Sequence, residues 1–250
     1  MTTLFISDLH LEEKRPDIIE AFFDFLDNHA HSIDALYILG DFFEAWIGDD
    51  ENTPLQLNVK QKLKAVAESG THLFFMHGNR DFLIGSLFCQ ETGATLLDDP
   101  TVINLYDQNI LLMHGDSLCT NDVEYMKFRK NMRDQEWQTL FLKRTLPERQ
   151  MVAQQLRAIS QAKNKGKTLE IMDVTPSEVV ASLQEYNVKT LIHGHTHRPA
   201  IHEIDVNGES AKRIVLGDWD KNVWYLKAES TGEIDLLNYP IERITRGRLT

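Results

Sequence analysis

The sequence predicts an α/β fold, and three observations carry the prediction. Short apolar, β-prone runs recur along the chain, a polar cluster closely follows most of them, and helical punctuation fills the intervals. The runs are Leu4-Phe5-Ile6, Leu36-Tyr37-Ile38-Leu39, Leu73-Phe74-Phe75-Met76, Ile110-Leu111-Leu112-Met113 and Leu191-Ile192. Each is apolar throughout, as a strand covered on both faces should be. Helices are predicted over Pro16–His29, Pro54–Glu68, Arg80–Glu91 and Pro176–Tyr186. Where proline opens the segment, its fixed φ and missing N–H suit a first helical turn.

The polar clusters are Asp8-Leu9-His10, Gly40-Asp41, Gly78-Asn79-Arg80-Asp81, His114-Gly115-Asp116 and Gly194-His195-Thr196-His197. With the strands side by side, their carboxyl ends gather Asp8, His10, Asp41, Asn79, His114, His195 and His197 at one rim, where open α/β sheets place their sites. Oxygen and imidazole donors without thiolate suit hard or borderline divalent cations. Seven side chains exceed the needs of one ion and suit two ions that share a carboxylate. Asp41 is the natural bridge because its two oxygens can face two ions. One division gives Asp8, His10 and His197 to the first ion, and Asn79, His114 and His195 to the second. Paired ions of this kind clamp the attacking and leaving oxygens of an in-line displacement. The bland alternative is a set of separate capping aspartates and surface histidines. His193 is expected to be structural within its strand. Asp116 and Glu44 are candidates either for orienting ligating imidazoles or for simple turns.

Length and composition bound the rest. The chain has 250 residues, 42% hydrophobic and 26% charged, enough for one large core of ordinary globular make-up. Cys89 and Cys119 have no metal-type spacing and suit a reducing compartment. Met1 to Leu4 runs straight into the first strand, which leaves no room for a signal peptide. No apolar run reaches the length that spans a bilayer. The net charge of −12 disfavours a nucleic-acid partner. That charge is uneven, because residues 121–170 hold 11 Lys and Arg against 6 Asp and Glu, while the remainder holds 15 against 32. The same segment breaks the strand–helix rhythm. From Asn121 to Lys167 the pattern is helical, interrupted at Pro147, and reads as an inserted lid over the rim. Arg157, Ser160, Asn164 and Lys167 share an arc of about 80° on one helix face, and all can donate to phosphate or sugar oxygens. Val152, Leu156 and Ile159 lie beside that arc, and Trp137, Leu140 and Phe141 form a second apolar patch. Docking the lid accounts for most of these. A lid with adjacent polar and greasy faces also suits an amphiphile.

The ordered series of Asp-x-His, Gly-Asp, Gly-Asn, strand-terminal His and Gly-His-x-His from Asp8 to His197 resembles the calcineurin-like metallophosphoesterases. The resemblance implies a two-layer β-sandwich flanked by helices (αββα), with a dinuclear centre at the sheet edge. One departure is informative. The family usually carries His after Gly-Asn, as a proton donor to the leaving group; this chain has Arg80. A guanidinium stays protonated at any working pH, but it can grip a phosphate and offset developing charge. That favours a leaving group that needs no proton, such as the phosphate of a phosphoanhydride.

The segments Gly40–Asp50, Gly78–Leu83, His114–Thr120 and Ile192–Pro199 narrow the resemblance to the branch of the family that hydrolyses UDP-2,3-diacylglucosamine in lipid A biosynthesis. It extends from residue 2 to about 240. What this implies is cleavage to UMP and 2,3-diacylglucosamine 1-phosphate, two divalent ions, usually Mn²⁺, and peripheral attachment to the cytoplasmic face of a bacterial inner membrane. The metal ligands carry over onto the seven rim residues, with Asp41, Asn79, Arg80, His114 and His195 expected at the reacting phosphate. Substrate contacts carry over onto Asn79, Arg80, Asp122, Tyr125, Arg157, Ser160, Asn164, Lys167 and His195. The expected organisation is a single domain over 1–240, including the insertion 121–170, followed by a tail over 241–250. No obligate protein partner is evident. Two rivals stay open: a dinuclear phosphoesterase acting on other nucleotides or phosphoesters, and a non-catalytic scaffold on the same fold.

Overall fold

The computed structural model describes residues 1–164, 171 and 173–241. In chain order the elements are β1 (Thr2–Ile6), α1 (Pro16–His29), β2 (Ala35–Leu39), α2 (Pro54–Glu68), β3 (His72–Met76), α3 (Ser86–Thr92), β4 (Ala94–Leu97), β5 (Thr101–Leu105), β6 (Gln108–Leu112), α4 (Val123–Met132), α5 (Gln135–Leu142), α6 (Leu146–Asn164), α7 (Pro176–Glu185), β7 (Thr190–His193), β8 (Ala200–Val206), β9 (Glu209–Val215), β10 (Asn222–Glu229) and β11 (Ile234–Pro240). They form a six-stranded sheet, β11-β10-β1-β2-β3-β4, and a five-stranded sheet, β5-β6-β7-β9-β8. The five strands read from the sequence are therefore not one open sheet. β1, β2 and β3 run parallel in the first sheet, and β6 and β7 run parallel in the second.

Alternation along each strand shows why the sheets stack. Leu4, Ile6, Leu36, Ile38, Leu73 and Phe75 point to an outer core shared with α1, α2 and α3. Between them, Phe5, Tyr37, Leu39 and Met76 point the other way and meet Ile110, Leu112, Ile192 and Ile214 of the second sheet. Leu111, Met113 and Leu191 face outward again, onto Val179 and Leu183 of α7. The result is helix, sheet, sheet, helix. Strands buried on both faces have no polar face to show, so their runs are apolar throughout. Phe5, Tyr37 and Phe74 stack across neighbouring strands inside the sandwich, with ring centroids 4.9 Å and 4.6 Å apart.

Proline sets three helix starts where the sequence indicated. Pro16, Pro54 and Pro176 all occupy the first turn. α2 adds a reciprocal capping box between Thr53 and Gln56. The predicted helix over Arg80–Glu91 is corrected: residues 80–85 are loop and α3 begins at Ser86. Its first turn is capped from a distance, because Asp49 accepts from the amides of Gly85, Leu87 and Phe88 at 2.9–3.1 Å. Pro147 does not interrupt a helix; it sits in the first turn of α6, after the break at residues 143–145.

Residues 121–170 comprise α4, α5 and α6 within their described part. α6 is bolted to the body by Arg149, only 3% exposed. Its guanidinium donates to the Ile47 carbonyl and to Asp50 Oδ1, both at 2.7 Å, and to the Arg144 carbonyl at 3.1 Å. Some of the positive charge counted in this segment therefore docks the lid rather than facing a ligand. The side chain of Asn164, Lys167 and residues 242–250 lie outside the described residues. Among the described residues, no helix is long and apolar enough to cross a membrane.

Candidate metal centre

The loops that leave β1, β2, β3, β6 and β7 meet at one end of the sandwich and are zipped to one another by main-chain hydrogen bonds. The amides of Asp8 and His10 donate to the carbonyls of Gly40 and Asp41, each at 3.0 Å, and Gly194 N donates to the His114 carbonyl at 2.9 Å. Two bonds stitch the sheets together at the rim. His195 N donates to Asp8 Oδ2 at 2.9 Å, and His114 Nδ1 donates to the Leu39 carbonyl at 2.8 Å. The second bond fixes the tautomer of His114 and turns its Nε2 inward.

Two sets of donor atoms converge there, one from Asp8, His10 and His197 and one from Asp41, His114 and His195. Within each set the atoms lie within 4.8 Å of one another. Asn79 joins the second set, its Oδ1 being 3.1 Å from His114 Nε2. Asp41 lies between the sets, with Oδ2 3.9 Å from His10 Nε2 and Oδ1 3.7 Å from His114 Nε2. Gly78 and Gly40 make room for this approach. A Cβ on Gly78 would fall 2.1 Å from Asp41 N and 2.2 Å from Asp41 Oδ1.

The residues fit divalent cations on three grounds. Asp8 Oδ1 is buried and has no hydrogen-bond partner among the described residues. His10 Nε2 and His197 Nε2 face each other at 3.3 Å, a separation at which two lone pairs need a proton or a cation between them. The electrostatics agree. Burial alone would lower the His114 imidazole, yet Asp41, Asp116 and Asp8 raise it to about 9. Burial likewise opposes charge on His197, but Asp8 and Asp218 carry it to about 9. Burial, reinforced by His114, pushes His195 down to about 4. Asp8, although burial opposes its ionisation, is held well below the usual carboxylate range by His197, His114 and His10. Carboxylates that hold protons on neighbouring imidazoles are a site where a cation can take the protons' place.

The backbone carries strain at the same positions. Asp8, His10, Asp41, His195 and His197 all have φ between 50° and 66°. Left-handed conformations cost non-glycine residues on the order of 1 kcal/mol or more, and they persist only where the surroundings over-determine them. The zipped loops do so here.

Some supporting residues escaped the sequence reading. Asp81, fully buried, ties two donor loops together: Oδ2 accepts from Phe42 N at 2.7 Å and Oδ1 from Gly78 N at 2.8 Å. No local pattern marks that role, because its partner Phe42 N lies 39 residues away in sequence. Glu44 places Oε2 2.9 Å from His10 Nδ1 and Oε1 2.9 Å from Arg157 Nη2, joining the rim to the lid. Asp116 makes no hydrogen bond to an imidazole of either donor set among the described residues; its Oδ2 accepts from Tyr125 Oη at 2.7 Å and Arg129 Nε at 2.9 Å. His193 lies fully buried in β7, and desolvation pushes it to about 3, so it stays neutral.

A cavity of about 250 Å³ opens from the rim beneath the lid. Asn79, Arg80, Tyr125, Arg157 and Ser160 line its polar part. Phe82, Phe128, Met132, Trp137, Phe141 and Leu156 line the apolar part. Trp137 and Phe141 stack with centroids 5.0 Å apart. Leu140 and Ile159 instead face outward, 56% and 51% exposed. Asp122 does not line the cavity; it is buried and caps α4 by accepting from Tyr125 N at 3.1 Å. The buried Nε of Arg80 has no hydrogen-bond partner among the described residues, an orphan donor beside the reacting end of the cavity.

A sandwich with donor loops from both sheets at one end defines a class. Residues 1–199 match the family model described as calcineurin-like phosphoesterase, and the chain belongs to that family. Within it, the chain is similar over nearly its full length to proteins named UDP-2,3-diacylglucosamine hydrolase. The protein of that name from Marinobacter nauticus is 61% identical over 241 residues, covering 96% of this chain and 99% of its own. That from Hahella chejuensis is 53% identical, covering 98% and 100%, and one from Pseudomonas aeruginosa is 54% identical, covering 93% and 97%.

Proposed function

We propose that this chain hydrolyses the pyrophosphate bond of UDP-2,3-diacylglucosamine, giving UMP and 2,3-diacylglucosamine 1-phosphate for lipid A synthesis. The observation that carries this reading is the cavity, which joins the donor sets and Arg80 at one end to an aromatic chamber at the other. A nucleotide-sugar diphosphate with acyl chains has the same polarity gradient.

Asp8, His10 and His197 would hold one ion, and Asn79, His114 and His195 the other, with one Asp41 oxygen turned to each. Bound there, two divalent ions, Mn²⁺ in this proposal, supply Lewis acidity and lower the pKa of water. The protein's own part is positioning and charge. Asn79 and Arg80 face the α-phosphoryl group from the β3–α3 loop, and the main chain of Arg80 is anchored by donating to Asp41 Oδ1 at 2.8 Å. Water oxygen bonds to the α-phosphorus, giving up a proton to solvent, as the bond from the α-phosphorus to the bridging oxygen breaks. The electron pair passes to the departing sugar phosphate, which leaves as an anion and needs no proton. A permanently charged guanidinium suits that departure. On the lid, Tyr125, Arg157 and Ser160, with Asn164 and Lys167 in the same proposal, would hold the phosphate and sugar, while Asp122 would act through Tyr125, whose amide it caps. The aromatic chamber would take acyl chain. In H₂¹⁸O the label should appear in UMP, and UDP-glucosamine without acyl chains should turn over with kcat/KM lower by at least about 10²-fold, given about 0.8 kcal/mol per buried methylene. Label in the sugar phosphate, or equal turnover of the chain-free compound, would contradict the reading.

We also place the protein at the cytoplasmic face of a bacterial inner membrane as a peripheral enzyme. Val123, Leu140, Met151 and Ile159 are each more than half exposed on the lid helices, and Lys130 and Lys143 of the same segment are exposed too. Such a surface suits anionic lipid. Co-sedimentation with anionic vesicles that weakens as salt is raised is expected; no co-sedimentation with or without substrate would end this part.

A further inference from the structure

One face of α4 reaches back to both loops that carry donors of the second set. Tyr125 and Arg129 of α4 and Arg133, the helical-conformation cap that follows it, stand at intervals of four, so they share that face. Arg129 Nε donates to the fully buried Asp116 at 2.9 Å, and its Nη2 lies 3.7 Å from Asp99 Oδ2. Asp116 is two residues beyond His114, and Asp99 Oδ1 accepts from His114 N at 3.4 Å. Arg133 Nη2 donates to the carbonyl of Gly78 at 2.9 Å, one residue before Asn79, while its guanidinium lies 5.5 Å from the Phe82 ring centroid. None of these contacts reaches Asp8, His10 or His197.

We propose that Arg129 and Arg133 are positioning residues by which the lid helix α4 holds Asn79 and His114 in register for the second ion, leaving the first ion site, which the lid reaches through Arg157 and Glu44 instead, independent of α4. The proposal rests on the reading of the two donor sets as cation sites. Guanidinium is suited to the task. Its planar fork can meet a carboxylate and a carbonyl at fixed angles, so each donor loop is held in direction as well as distance. A purely electrostatic role would have the opposite sign, since removing a nearby positive charge should tighten cation binding.

The test is equilibrium dialysis of the metal-stripped full chain against Mn²⁺. Wild type should take up two ions with two constants, and Asn79→Ala identifies the constant that belongs to the second set. Arg133→Met keeps the length of the side chain and removes its donors. It should weaken the second constant about 10-fold, the size typical of losing a group that orients a metal ligand, and leave the first within about two-fold. Arg133→Lys, which can still donate to Gly78, should recover most of the loss. Arg129→Met should act in the same direction, with circular dichroism confirming that the helices remain; if it unfolds, the Arg133 pair still decides. Equal weakening of both constants, or an unchanged or tighter second constant in Arg133→Met, would overturn the proposal. Failure of wild type to bind two ions would bring down the cation-site reading as well.

Discussion

An Asp41→Asn variant is expected to remain folded and to lose at least about 10³-fold in turnover, more than the 10–100-fold typical of removing a group that merely orients a ligand. The amide is nearly isosteric and can still accept from Arg80 N, the bond that Asp41 Oδ1 makes at 2.8 Å. What it lacks is the charge that faces His10 on one side and His114 on the other. Asp81 and Asp8 lie in the same buried neighbourhood. Burial and the nearness of Asp41 already raise the Asp81 carboxyl above its ordinary value. Neutralising Asp41 relieves Asp81 but also removes a charge that holds the proton on His114, so the thermal midpoint of the metal-free protein should shift little while metal retention falls. Kinetics, metal content and a melting curve on one preparation check all three expectations.

Gly78→Ala should be nearly as damaging by a different route. Its Cβ would meet the main-chain nitrogen of Asp41 at 2.1 Å, and backbone cannot rotate away as a flexible side chain can. The loops after β2 and β3 are held together by Asp81, which accepts from Phe42 N and Gly78 N. Separating them stretches the two bonds that cross between the loops, Phe42 N to Asp81 and Arg80 N to Asp41, and moves Asp41 away from Asn79. Overpacking of this kind costs about 1–3 kcal/mol of stability, and misplacing a reacting group by about 1 Å costs about 10²-fold in rate. The expected variant is soluble, less stable, poor in metal and slow, with the loss in kcat rather than KM. Wild-type kcat would show that the close approach of the two loops is not needed.

Much of this architecture was written locally. The starts of α1, α2 and α7 were legible because proline marks them, and the central strands because burial on both faces leaves them apolar throughout. β4, β5, β8 and β11 at the sheet edges, and β9 and β10 inside the sheets, were not, since polar residues interrupt their apolar ones and the pattern is weak beside ordinary surface composition. The start of α3 was misplaced because its cap, Asp49, is 36 residues away in sequence. At the site, each donor follows an apolar strand, so the gathering could be inferred once strands were assumed adjacent. That they belong to two sheets could not be read from periodicity, which gives alternation along a strand but not its neighbours. The groups that hold the donors in place were hidden for the same reason. Glu44 and Asp116 could be named as candidates, but their partners Arg157, Tyr125 and Arg129 come from the lid. Arg149 looked like part of a basic surface and is instead a buried bolt to Ile47 and Asp50.

The most direct test of the central claim is anomalous diffraction from crystals of the full chain grown with Mn²⁺. Two peaks roughly 3.5–4 Å apart, one beside Asp8, His10 and His197, the other beside Asn79, His114 and His195, with Asp41 between them, are the predicted result. A single peak, or two peaks that share no contact with Asp41, would contradict it.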